Sequence, residues 1–179
     1  MFNNSMQGGL VIRPSNDRDK PFLMNLYNST RDDLKHVDAS HDFIEELIEM
    51  QFKAQFEGYG EQFPNAFYFV IERQQEKIGR IAVDFGHNEV RIIDISFIKA
   101  AQNKGYGSVV INALKSAAEQ NKVPLTLTVL HSNVPAINLY QKLGFKIVDN
   151  KLPHALMMWL PESKTARFTV NSSHFELSN

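Results

Sequence analysis

The chain has 179 residues, of which 43% are hydrophobic, with a formal net charge of −1 and no cysteine. That length and composition suffice for one domain with a sizeable core, and the balanced charge argues against a general nucleic-acid binder. The missing cysteines exclude disulfides, thiolate metal sites and an acyl-cysteine intermediate. No run approaches the roughly 18 apolar residues of a membrane span and the N-terminus shows no signal-peptide core, so a soluble cytoplasmic protein without membrane partners is expected.

Residues 1–9 are polar and glycine-containing and read as a flexible leader to a domain over residues 10–160. Residues 10–13 suit a short strand ended by Pro14. Asp19 can cap a helix reaching about Thr30, with Pro21 in its first turn, where a missing N–H costs little. Phe22, Leu23, Leu26 and Tyr27 form its inner face. Residues 31–40 are polar and carry His36, with His41 just beyond.

A second helix is predicted over residues 42–57, with Ile44, Leu47, Ile48, Phe52 and Phe56 on one stripe. Gln51 and Gln55 fall within or beside that stripe, so their amides either find partners in the core or line a polar cavity. Residues 58–64 read as a loop. Residues 66–72 and 78–85 read as an antiparallel hairpin around the polar turn at 74–77, and Asn88–Glu89 turns the chain into a central strand at 92–98.

The most informative stretch comes next. The strand at 92–98 runs into Gln102-Asn103-Lys104-Gly105-Tyr106-Gly107, and from Ser108 a helix begins whose Val110, Ala113, Leu114, Ala117 and Ala118 share one face. Two glycines where strand becomes helix let a ligand approach the backbone, and the first amides of the helix have no internal partner. This is an anion site in outline, most naturally for phosphate. A dinucleotide loop would need a third glycine where Val110 stands, and a P-loop would need Gly-Lys-Ser/Thr, so neither fits.

After a break at 121–124, residues 125–130 alternate as a strand with Thr126 and Thr128. Ser132-Asn133 can cap a short helix with Ala136, Ile137, Tyr140 and Leu143 inside, and Gly144 suits its left-handed C-terminal position. Residues 145–148 and 156–160 finish the sheet. The order β-α-α-β-β-β-α-β-α-β-β describes an α/β fold with a mixed sheet and helices on both faces. The tail at 161–179 is polar with Phe168, Val170 and Phe175 spaced along it, which suits either disorder or an added strand at a homodimer contact. The histidines are too scattered for a metal site, so none is expected.

Gln-x-x-Gly-x-Gly at 102–107 resembles the acyl-CoA pyrophosphate loop of the GCN5-related N-acetyltransferase (GNAT) superfamily. The Asn-x-x-Ala-x-x-Leu-Tyr-x-x-x-Gly-Phe run from Asn133 to Phe145 is similar to its second signature. The resemblance covers about residues 10–160. It implies a single-domain, mostly antiparallel sheet whose two central strands splay apart. Acetyl-CoA would then lie with its pantetheine arm against Phe97 and Ile98 and its pyrophosphate on Asn103, Lys104, Gly105, Tyr106, Gly107 and Ser108, flanked by Gln102. Asn133 and Ala136 would border the arm, and Tyr140 would stand near the thioester sulfur as a hydrogen-bond donor. A phenol with a pKa of about 10 facing a thiol of about 8.5 makes complete proton transfer uphill by roughly 2 kcal/mol, so the role is a modest one.

The implied reaction moves acetyl from acetyl-CoA directly to a primary amine of a small molecule or peptide, releasing CoA. Neutralising an amine of pKa near 10.4 at pH 7 costs about 4 to 5 kcal/mol, so a proton acceptor is needed. The glutamates of the histone-acetylating branch and of the branch acting on ribosomal-protein N-termini correspond to Arg91 and Thr128 here. Asp94, a carboxylate within an apolar strand, is the remaining candidate base, and equally an ion partner for Arg13 or Arg80. His131 and Glu89 are secondary candidates, and water can also relay the proton. Tyr27, Arg31, Gln51 and Gln55 are expected to form the acceptor pocket. The competing class is a non-catalytic acyl-CoA-binding module.

Overall fold

The computed structural model describes residues 5–31 and 40–162. His36, residues 1–4 and the tail residues 163–179 lie outside them. Seven strands are hydrogen-bonded in the order β1-β2-β3-β4-β5-β7-β6. They are β1 (Leu10–Pro14), β2 (Phe67–Arg73), β3 (Glu76–Phe85), β4 (Val90–Phe97), β5 (Leu125–Leu130), β6 (Lys146–Lys151) and β7 (His154–Trp159). Among the described residues four α-helices join them: α1 (Lys20–Ser29), α2 (His41–Gln62), α3 (Tyr106–Asn121) and α4 (Val134–Lys142). The element order is the one expected from the sequence. No described helix is long and apolar enough to cross a membrane.

The chain forms two compact units. The first comprises residues 1–84 and 93–106. In it β1 pairs antiparallel with β2, from Leu10↔Arg73 to Pro14↔Phe69, and β2 pairs antiparallel with β3. Leu10, Val70, Ile71, Ile81 and Val83 are buried to 2% exposure or less, and the adjacent Val70 and Ile71 point to opposite faces, so β2 is covered on both. Tyr27, Ile48 and Phe52 join α1 to α2, with Leu23, Met24 and Ile44 packed around them. The β2–β3 hairpin closes on Gln74 and Gln75, at φ 51° and 66°. Two consecutive left-handed residues match the twist of the strands, although glycine or asparagine usually fills these places.

Two local expectations are corrected here. Residues 58–64 are not a loop: α2 continues through Gly58, Tyr59 and Gly60 to Gln62, and the Phe63 amide still bonds the Tyr59 carbonyl at 2.8 Å. A glycine costs about 1 kcal/mol in a helix, which the packing of Tyr59 offsets. Asp19 does not cap α1 with its side chain. It closes a capping box with Asn16 in the preceding turn and is only 1% exposed. There it takes two hydrogen bonds of 2.8 Å from the Arg13 guanidinium and a 2.7 Å contact from Lys77 Nζ.

The second unit comprises residues 85–92 and 107–179. The first residues of β4 pair in parallel with β5, at Val90↔Leu125, Arg91↔Thr126 and Ile92↔Leu127. β7 pairs antiparallel with both β5 and β6. Val110, Ile111 and Ala118 of α3 are buried, as are Leu125, Leu127, Phe145 and Met157. α4 ends as its glycine predicts. Gly144 sits at φ 91°, its amide bonds the Gln141 carbonyl at 3.0 Å, and the Phe145 amide bonds the Tyr140 carbonyl at 3.0 Å.

Candidate active site

β4 ends at Phe97, and a single 3₁₀ turn at Lys99–Ala101 leads into the loop ahead of α3. The Ile98 amide is held by the Ile78 carbonyl at 2.9 Å, and Gln102 Nε2 donates to the Phe97 carbonyl at 3.0 Å. Gln102 thus braces the loop entry against its own strand, leaving those two backbone groups already engaged. Gly79 makes room for this strand end: a Cβ there would lie 2.6 Å from the Ser96 carbonyl oxygen and 2.8 Å from the Phe97 ring.

The loop then turns through two left-handed residues, Asn103 at φ 58° and Gly105 at φ 80°. Gln102, Asn103, Lys104 and Gly105 are exposed. Among the described residues, no amide of residues 103–108 donates to a carbonyl or side chain outside its own helix. The start of α3 therefore presents a set of unspent N–H donors at the positive end of a 16-residue helix. Nothing in the local geometry uses them.

In the second unit, the Asn133 side chain caps α4, accepting from the Ala136 amide at 3.3 Å. The Tyr140 ring packs against Phe145 with centroids 5.9 Å apart. His131 follows the last residue of β5, and its Nε2 is buried without a hydrogen-bond partner among the described residues. Arg91 Nη2 donates to Thr128 Oγ1 at 2.5 Å, while Thr126 Oγ1 donates to Glu89 Oε2 at 2.6 Å. The two positions that hold glutamates in other branches are thus bonded to each other here, and Glu89 is engaged by a buried threonine.

The first unit gathers the residues expected to meet the acceptor. Arg31 Nη1 donates to the Tyr27 hydroxyl at 3.0 Å and to Gln51 Oε1, with the guanidinium 5.9 Å from the Tyr27 ring centre. Gln55 is set apart from these three: it accepts from Arg80 Nη2 at 3.5 Å and lines a cavity under α2. Arg80 Nε donates to Asp94 Oδ2 at 2.5 Å, so Asp94 is paired with Arg80, while Arg13 is taken by Asp19 and Glu72.

Tyr59 and Tyr68 also line that cavity and were not singled out by sequence reasoning. Gln51, Gln55 and Tyr59 follow one another at i, i+4 and i+8 on α2, a signal hidden by the flanking glycines. The Tyr68 hydroxyl is buried without a protein partner. The innermost space, about 20 Å³ measured at water centres, is enough for one ordered water to satisfy it. Burial pushes the Tyr59 phenol up to about 12 and raises Tyr68 too. A wider groove of about 510 Å³ between α1 and α2 shares Ser15, Leu23, Phe52 and Phe56 with this cavity.

Among the described residues, His41, Asp42 and Glu45 place ligand atoms within 4.8 Å of one another at the start of α2. All three are exposed.

The sequence profile of the Acetyltransferase (GNAT) family matches residues 23–145, which spans both the glycine loop and the Asn133–Phe145 run. The chain belongs to the GNAT acetyltransferase family. A protein named N-alpha-acetyltransferase from Sulfurisphaera tokodaii is 31% identical over 97 residues, covering 46% of this chain and 58% of that protein. The chain thus spans less than two thirds of that relative's length. Among solved structures, the PaiA N-acetyltransferase of Thermoplasma acidophilum in complex with coenzyme A aligns at TM-score 0.64. It is 17% identical and the alignment covers 84% of this chain and 98% of that one. The spermidine/spermine N-acetyltransferase SpeG of Vibrio cholerae aligns at TM-score 0.58 and 21% identity, covering 88% and 96%. These likenesses establish the GNAT fold, a mixed α/β arrangement on a seven-stranded, mostly antiparallel sheet.

Proposed function

We propose that this GNAT acetyltransferase transfers the acetyl group of acetyl-CoA to a primary amine of a small molecule or peptide, by direct attack in a ternary complex in the cytoplasm. The observation that carries the reading is the row of unspent amides at 103–108 in the family's glycine loop. A diphosphate accepting from them gains about 0.3–1 kcal/mol per interaction with the helix end. Lys104 adds a mobile positive charge beside it. The arm of the cofactor runs past Phe97 and Ile98, where the Phe97 carbonyl retains a second lone pair beyond the one Gln102 uses. Asn133 caps the start of α4, and by the family's second signature Ala136 borders the arm and Tyr140 donates to the sulfur as the C–S bond breaks.

The acceptor enters on the side of α1 and α2. Tyr27, Arg31 and Gln51 form one polar patch for it, and Gln55 joins the Arg80–Asp94 pair. Asp94 takes the amine proton: Arg80 holds Oδ2, leaving Oδ1 to accept the proton and hand it to solvent. The amine-acetylating names of the relatives support an amine acceptor.

The test is release of free thiol from acetyl-CoA across a panel of primary amines and short peptides. Turnover with at least one amine, and loss of acceptor saturation in Arg31→Ala and Gln51→Ala with cofactor affinity intact, is the expected result. Tight CoA binding with no turnover on any amine would instead mark a non-catalytic acyl-CoA-binding module.

A further inference from the structure

Arg73, the last residue of β2, is half-buried, and its Nε donates to the Gly8 carbonyl at 3.1 Å. Its guanidinium carbon lies 5.7 Å from the ring centre of Tyr106, the residue between the two loop glycines and the first of α3. Its cross-strand neighbour is a carboxylate, Glu76, yet among the described residues the two form no ion pair. Among the described residues its Nη atoms have no partner. Arg13 and Arg80, by contrast, are paired with carboxylates, Arg13 with Asp19 and Glu72 and Arg80 with Asp94.

The direction of the guanidinium is set by two groups. The Gly8 carbonyl takes the inner nitrogen, and the Tyr106 ring supports the guanidinium near its face. Gly8 adopts φ 79° to bring its backbone there, and a Cβ on it would sit 3.7 Å from the Tyr106 ring. The forked outer nitrogens are left for an anion at the loop where α3 begins, and that fork matches phosphate oxygens.

We infer that Arg73 is a cofactor-binding residue, supplying a side-chain counter-charge in addition to Lys104 to a phosphate at the nucleotide end of CoA. This rests on the reading that the 103–108 amides receive the cofactor. They neutralise phosphate charge only through partial dipoles, whereas Arg73 contributes a whole charge and bidentate geometry. Glycine at position 8 and the aromatic at position 106 are then parts of the same device, since both set the direction of the fork.

Calorimetric titration with CoA and with 3′-dephospho-CoA, together with KM for acetylpantetheine, tests this on wild type, Arg73→Ala and Arg73→Lys. Arg73→Ala is expected to weaken CoA about tenfold, the scale of one charge-assisted hydrogen bond, while leaving the KM of phosphate-free acetylpantetheine unchanged. Arg73→Lys is expected to recover part of the loss. A smaller loss with dephospho-CoA assigns the contact to the 3′-phosphate, and an equal loss assigns it to the diphosphate. CoA affinity unchanged in Arg73→Ala, or an equal rise in acetylpantetheine KM, overturns the inference and leaves Arg73 as a brace for the loop. Wild type giving no heat with CoA would bring down the functional reading itself.

Discussion

Arg80 and Asp94 face each other from neighbouring strands with Nε and Oδ2 2.5 Å apart, their side chains only 15% and 22% exposed. Asp94 is thus the ion partner of Arg80 through Oδ2, and the proton-accepting role proposed for it falls to Oδ1.

Asp94→Asn is expected to lower kcat/KM for the amine about tenfold to hundredfold with CoA affinity unchanged. It also strands Arg80, at about 1–3 kcal/mol. The double variant Arg80→Met, Asp94→Met separates the two roles. Replacing both partners by apolar groups should restore stability close to wild type, without restoring activity. Recovery of turnover in the double variant would leave Asp94 with the ion-pair role alone.

Asp19 governs the acid limb of stability. Arg13 first, then Lys77 and the Asn16 amide, hold its carboxyl well below the usual carboxylate range. A depressed folded value means the stabilisation is fully present above the unfolded value near 4. It fades as the pH falls from there through the lowered folded value. Asp19→Asn should cost about 3 kcal/mol at pH 7, discounted for the partial exposure of Arg13 and Lys77. The gap from wild type should narrow below about pH 4. Urea midpoints at pH 7 and pH 3 measure this, and a gap that is constant across that range would remove Asp19 from the acid response.

Gly79→Ala is expected to destabilise by about 1–3 kcal/mol, because the new methyl meets the Ser96 carbonyl and Phe97 ring with nowhere to go. The same shift moves the strand end that Gln102 braces, so CoA affinity should fall as well. A urea midpoint equal to wild type would show that β3 and β4 accommodate the methyl.

Much of this was legible beforehand where one local rule decides the outcome. Gly144 had to be left-handed after a capped helix, and the apolar periodicities marked the element order. Residues 102–108 announced themselves because few other uses explain a strand, two glycines and a helix in succession. What escaped depends on partners distant in sequence. Asp19 looked like a cap because its neighbour is a helix, whereas Arg13 and Lys77 recruit it from two strands. Tyr59 was hidden by Gly58 and Gly60, which read as a break until burial of the tyrosine carries the helix past them. Arg73 carries no local pattern at all, since its meaning arises only from Tyr106 and Gly8 arriving beside it.

Tyr140→Phe should slow turnover by roughly tenfold to a thousandfold in a chemistry-limited assay, while the ring's packing on Phe145 preserves the fold. An unchanged rate would take the phenol out of the reaction and leave Tyr140 as a packing residue of α4.

The most direct test of the central claim is a titration of isotope-labelled protein with CoA, following each backbone amide by NMR. The account predicts that the largest shifts fall on Asn103 through Ser108 and saturate together with the heat of binding. Saturable binding that leaves those amides unmoved, with the shifts clustered elsewhere, would contradict it.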